Sequence, residues 1–154
     1  MLKNIKKILG VVGGVLVILG VFLPILNLGL FGKYSYFNLS INGKIVFSLA
    51  IISIILSLFG RFFFLIITSV GIFSVFAYDV WKFFKLKKNL TGFIQKFEQK
   101  NPNNILIKLA KSAFQSFDVG WGWIFIVLGA FILLILFFVH IFEKKLSASQ
   151  IIQK

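Results

Sequence analysis

The sequence predicts an all-α membrane protein: four transmembrane helices, with an exposed amphipathic helix pair between the third and the fourth. Three observations carry this. First, 59% of the 154 residues are hydrophobic and 14% are charged, whereas a water-soluble domain is about 45–50% apolar and roughly a quarter charged. A domain this small leaves much of its surface wet, so it has no aqueous core large enough for that excess. Second, apolar stretches recur at the length that crosses a hydrocarbon core about 30 Å thick, about 20 residues in a helix. Third, the one long connection alternates Lys with apolar residues at helical spacing. Composition excludes a soluble enzyme, a disordered tail and a collagen-like chain. With no Cys there is no disulfide framework, thiolate metal site or cysteine nucleophile.

The first span is predicted at about 8–26, behind Lys3, Lys6 and Lys7. It is too long for a signal-peptide core and no small-residue cleavage site follows, so it reads as a retained helix kinked or ended around Pro24. Residues 28–31 extend the apolar run beyond Asn27. From Ile45 to Val80 the chain is apolar except at Gly60-Arg61. A single helix over that stretch would be about 54 Å long, so Gly60 and Arg61 mark a turn between spans at about 43–60 and 62–81. Trp121 to Phe142 is uncharged and gives the last span, opened by Gly-Trp-Gly-Trp with the Trp rings at headgroup level. Four spans place both termini on one side. The basic N-terminus argues for the cytoplasm. By count, however, that leaves seven cationic residues inside and ten outside, against the positive-inside tendency.

Between the spans, 27–44 reads as a small hairpin or extended lip with a turn at Asn42-Gly43. In 82–120, Phe83, Leu86, Leu90, Phe93, Ile94 and Phe97 share one face; Asn101-Pro102-Asn103-Asn104 then breaks the pattern. A second run places Ile105, Leu106, Leu109, Ala113, Phe114 and Phe117 opposite Lys108 and Lys111. Two basic amphipathic helices of this kind would lie at the headgroups of anionic lipid, and with the lip they would form one cap. The candidate interaction surface is Lys85, Lys87, Lys88, Lys96, Lys100, Lys108, Lys111, Phe114 and Phe117.

Three polar residues lie in or at the ends of spans. Asp79 is expected to pair at the interface with Lys82 or Lys85, and an intramembrane carboxylate is also a functional candidate. Arg61 anchors the turn by snorkelling to phosphate. His140, the lone histidine, has no second ligand for a metal and reads as an interfacial anchor. Gly10 with Gly14, Gly13 with Gly20, and Gly71 and Gly129 are close-approach points for helix packing within the bundle or between copies. No phosphate-cradling loop, paired carboxylates or catalytic triad is present, and four acids leave little for acid–base work. No enzyme, metal site or cofactor is expected, nor a nucleic-acid partner, since the Lys-rich face carries no reading motif.

The layout resembles that of small four-span membrane proteins, claudin-like ones included. The claudin signature is missing, because the first exposed segment has neither Trp nor Cys. Gly-Val-Phe-Leu-Pro at 20–24, Asn-Gly-Lys-Ile-Val at 42–46 and Val-Gly-Trp-Gly-Trp at 119–123 resemble segments of small membrane proteins of Gram-positive bacteria and their prophages. That resemblance implies a bacterial cell membrane; it brings no activity and no functional residues. The expected function is binding to another membrane or envelope component through the basic cap, as an accessory, immunity or phage-exclusion protein. The rival is a small pore, holin-like permeabiliser or transporter component. It would be lined by the polar residues of the middle spans: Ser48, Ser53, Ser57, Thr68, Ser69, Ser74 and Asp79.

Overall fold

The computed structural model describes residues 2–27, 32–100, 105 and 118–152. Helix α1 runs Leu2–Phe22 and strand β1 Pro24–Asn27; β2 is Lys33–Ser35 and α2 the single turn Tyr36–Leu39. Then come α3, Ile41–Leu58; a 3₁₀ turn, Phe62–Phe64; α4, Leu65–Lys100; β3, Asp118–Val119; and α5, Gly122–Ile152. Four of these helices, α1, α3, α4 and α5, are long and apolar enough to cross a membrane. The chain is therefore a multi-pass membrane protein. Between 28% and 39% of each spanning window is buried inside the bundle, so most of every window is covered only if lipid covers it.

Several boundaries differ from the sequence reading, each for a local reason. Helix α1 stops at Phe22 instead of reaching residue 26, because a residue ahead of proline is pushed out of the helical region. Pro24 opens a strand, and β1 pairs antiparallel with both β2 and β3 in a three-stranded sheet ordered β2-β1-β3. The hairpin of the first connection thus turns upstream of Asn42-Gly43, where the sequence placed its turn. Asn42 and Gly43 do not turn the chain. They sit in the first turn of α3, where the Ser40 hydroxyl accepts the Asn42 N–H at 3.2 Å as an N-cap.

The Gly60-Arg61 turn is present. Phe59 ends α3, Gly60 takes φ +72°, and its N–H reaches the Ser57 carbonyl at 3.1 Å. The Arg61 N–H reaches back to the Leu56 carbonyl at 2.9 Å, which completes a Schellman motif. Helix α4 does not end at 81. It continues unbroken to Lys100, so the first half of the proposed amphipathic pair is the outer part of a spanning helix. The second half, 106–117, lies outside the described residues. Likewise α5 passes straight through Glu143-Lys144-Lys145 to Ile152.

The helices pack in a ring, with α1 against α3 and α5, and α4 completing it between those two. Glycines set two of these contacts. Gly10 and Gly14 face α3, at Ser57 and at Ile54 and Ala50; Gly13 and Gly20 face α5. A Cβ on Gly129 would lie 2.5 Å from the Gly13 carbonyl oxygen, and one on Gly20 2.7 Å from that of Gly122. Gly71 is less constrained, with Leu49 at 3.2 Å from such a Cβ. The core is Val17, Val21, Ile25, Val46, Ala50, Leu65, Ile72, Ile126, Ala130 and Leu133, with their neighbours.

Gly129→Val should therefore destabilise the bundle by about 1–3 kcal/mol, the usual cost of overpacking. Gly92→Ala, in open space on α4, should be neutral or slightly stabilising. Thermal unfolding of the two variants in detergent measures the difference.

Candidate functional site

The polar chemistry concentrates where α4 leaves the bundle. Asp79 is half-buried there and is not ion-paired among the described residues. The Tyr36 hydroxyl donates to one carboxylate oxygen at 2.7 Å, and the Asn42 amide nitrogen donates to the other at 2.6 Å. This corrects the expected pairing with Lys82 or Lys85. The physical reason is reach: α2 and the first turn of α3 bring two neutral donors onto the carboxylate, whereas Lys85 lies over the Trp81 ring at 5.1 Å. Burial, the hydrogen bond to Asp79 and the Asp79 charge together hold the Tyr36 phenol far above its ordinary pKa of 10.0.

Aromatic rings support this site from behind. Tyr36 meets Phe76 edge-on at 5.9 Å, and Phe76 meets Trp123 at 5.2 Å. Trp123 is thus packed into the bundle rather than standing in a headgroup belt, and its indole N–H is buried with no hydrogen-bond partner among the described residues. Tyr78, Trp81 and Trp121 remain exposed, as belt residues should be. Beside them, the backbone of 118–120 joins the lip: Asn27 pairs with Asp118, and the Gly120 N–H donates to the Ile25 carbonyl at 2.9 Å. Only glycine fits at 120, because a Cβ would strike the Pro24 carbonyl. Both exposed connections are therefore tied together at their bases.

No family model, curated protein or solved structure matches the chain.

Beyond the site, α4 carries Lys82, Lys85, Lys87, Lys88 and Lys96, all exposed, interleaved with exposed Phe84, Leu86 and Phe93. Lys100 lies on the same helix, while Lys108, Lys111, Phe114 and Phe117 lie outside the described residues. At the opposite end of the bundle, Arg61 is exposed in its turn, and His140 packs 5.7 Å from the Phe62 ring. Another contact at that end has no local sequence signal. Lys6, 7% exposed, donates to the Glu143 carboxylate, joining the start of α1 to α5.

The polar residues of the middle spans are mostly sealed. Ser53 and Ser57 donate to carbonyls one turn back, at 2.9 and 2.8 Å, Thr68 donates to Leu65, and Ser69 crosses to the Ala130 carbonyl at 2.9 Å. Ser48 and Ser74 face outward. Among the described residues no group of three or more His, Cys, Asp or Glu could hold a metal ion.

Tyr36→Phe should cost about 1–3 kcal/mol by leaving the half-buried carboxylate one donor short. The raised Tyr36 pKa also fixes the sign of the alkaline response. The folded state favours the neutral phenol, so its contribution is complete below pH about 10 and falls as the pH rises further. Unfolding of the wild type between pH 9 and about 11 should show this slope, and Tyr36→Phe should lack its tyrosine component.

Proposed function

We propose that this is a non-enzymatic integral membrane protein that acts by binding. Its basic arm, the outer part of α4, engages another membrane or envelope component of anionic character, in the manner of an accessory, immunity or phage-exclusion protein. The observation that carries this reading is that α4 is unbroken over 36 residues, well beyond the length that crosses a bilayer. At 1.5 Å per residue, its 36 residues measure about 54 Å, of which 82–100 contribute about 28 Å beyond the Tyr78–Trp81 belt. A helix that emerges with five exposed lysines and exposed Phe and Leu offers both charge and apolar anchors to a partner.

The base of the arm supports the same reading. Tyr36 and Asn42 clamp Asp79 just inside the point of emergence, and β1 joins β3 next to it. An arm held by hydrogen bonds at its root presents its lysines in a fixed direction, so less ordering entropy opposes docking. The buried hydroxyls favour binding over conduction: each donates to a backbone carbonyl, whereas a conducting path needs polar groups turned toward water. On this reading both termini are cytoplasmic and the arm faces outward, as the basic start of α1 favours. Anionic headgroups are a second surface for the same lysines.

Replacing Lys85, Lys87, Lys88 and Lys96 by Glu should abolish the biological activity, immunity or exclusion, while leaving membrane insertion and thermal stability unchanged. Retained activity in that variant overturns the proposal. Orientation is tested by thiol labelling of single Cys residues at Ser35 and Ser149 in this Cys-free chain. Label should reach position 35 from outside and position 149 only after permeabilisation. The reverse pattern places the arm in the cytoplasm.

A further inference from the structure

We propose that the groove between α1 and α5, at the end closed by Lys6 and Glu143, binds one anionic phospholipid of the bilayer. An acyl chain occupies the groove and the phosphate lies among Lys7, Lys144 and Lys145. This site is at the opposite end of the bundle from the arm and stands independently of the function proposed for it.

The antiparallel register creates the groove. Gly20 meets Gly122 and Gly13 meets Gly129, so each step of seven residues down α1 is matched by seven up α5. Continued once more, this register sets Lys6 level with Leu136. There, bulky side chains on both helices replace the glycines, and a hollow of about 290 Å³ opens. Ile5 and Leu9 form one wall; Ile132, Ile135 and Val139 form the other. Ile5, Leu9, Ile135 and Val139 are 40–54% exposed, so the hollow opens sideways on the outer face of the bundle. It lies between two helices long and apolar enough to cross a membrane, Asn4–Phe22 and Gly122–Lys145, so in a bilayer its open side faces lipid. An acyl chain is the occupant which that location supplies.

The headgroup end is set by charge. From the level of Leu136, Glu143 is seven residues, about 10 Å, further along α5. Side chains on a helix lean toward its N-terminus, so Lys6 leans outward along α1 while Glu143 leans back to meet it. The Lys6 stem thereby lines the groove and its ammonium closes the top. The four acids of the chain are Asp79, Glu98, Asp118 and Glu143, and only Glu143 belongs to this end. Lys6 pairs with it, which leaves Lys7 on one helix and Lys144 and Lys145 on the other without a matching acid in the sequence around them. An apolar slot capped by surplus positive charge selects a lipid with an anionic head over a zwitterionic one.

The test is native mass spectrometry of the full chain released from nanodiscs of equal parts phosphatidylglycerol and phosphatidylcholine. The expected result is one phosphatidylglycerol retained in preference to phosphatidylcholine. Lys7→Gln and Lys144→Gln should each lower that preference about fivefold, the worth of one charge near an anionic surface. Ile135→Phe, which fills the groove, should lower retention of both lipids. Lys33→Gln, in β2 at the other end of the bundle and outside the arm, should change neither. Equal retention of the two lipids by the wild type overturns the proposal. So does a preference that survives Lys7→Gln and Lys144→Gln, or one that Lys33→Gln removes equally.

Discussion

The approach of α1 to α5 sets the geometry on which the rest of the molecule depends. In a bilayer the hydrophobic effect does not drive helices together, since lipid tails are as apolar as leucine. Association rests instead on close van der Waals packing and on interhelical hydrogen bonds. Backbone contact between Gly13 and Gly129, and between Gly20 and Gly122, meets that requirement along one side of α1. On the other side, Gly10 and Gly14 admit α3. Helix α1 thus acts as the hub of the ring, and α4, which does not touch it extensively, is held by α3, where Gly71 faces Leu49, and by α5, through Ser69 and the Phe73–Phe131 contact.

Two consequences follow at the ends of the bundle. Where the α1–α5 register reaches Gly20–Gly122, the chain leaves α1 at Pro24 directly beside the chain entering α5 at Gly120. That proximity lets β1 and β3 pair and ties the two exposed connections together. At the other end, glycine gives way to Lys6, Leu9 and Leu136, and the helices are joined by an ion pair across a hollow. One face of a single helix contact thus produces both the junction of the two connections and the hollow between α1 and α5.

The arm depends on a different economy. Asp79 sits where a carboxylate is expensive unless hydrogen-bonded, and its two oxygens are each given a neutral donor. The donors come from α2 and from the first turn of α3, so the same bonds that satisfy the acid also fasten the lip to the emerging helix. The aromatic stack from Tyr36 through Phe76 to Trp123 carries this junction into the core.

The number of spans, their approximate positions and the Gly60 turn were legible in the sequence, because span length and glycine at a helix C-terminus are local properties with fixed physical requirements. The spacing of Gly10 with Gly14 and of Gly13 with Gly20 likewise marked α1 as a helix fit for close packing. The partners of those faces were not legible, and neither were the partners of Asp79 and Lys6. Asp79 is 43 residues from Tyr36, and Lys6 is 137 from Glu143. Asn42-Gly43 read as a turn because those residues favour one locally, yet Ser40 and the packing of Gly43 against the Tyr36 backbone recruited them into a helix. Periodicity identified 83–97 as helical but not that it prolongs a span: the lysines from Lys82 onward read as the end of the apolar stretch, yet nothing at Trp81 or Lys82 breaks a helix, and α4 runs on to Lys100. Composition and spacing thus determined which segments enter the lipid. Tertiary structure decided which side chains meet, because contacts between distant residues are fixed by helix register and not by neighbours in the chain.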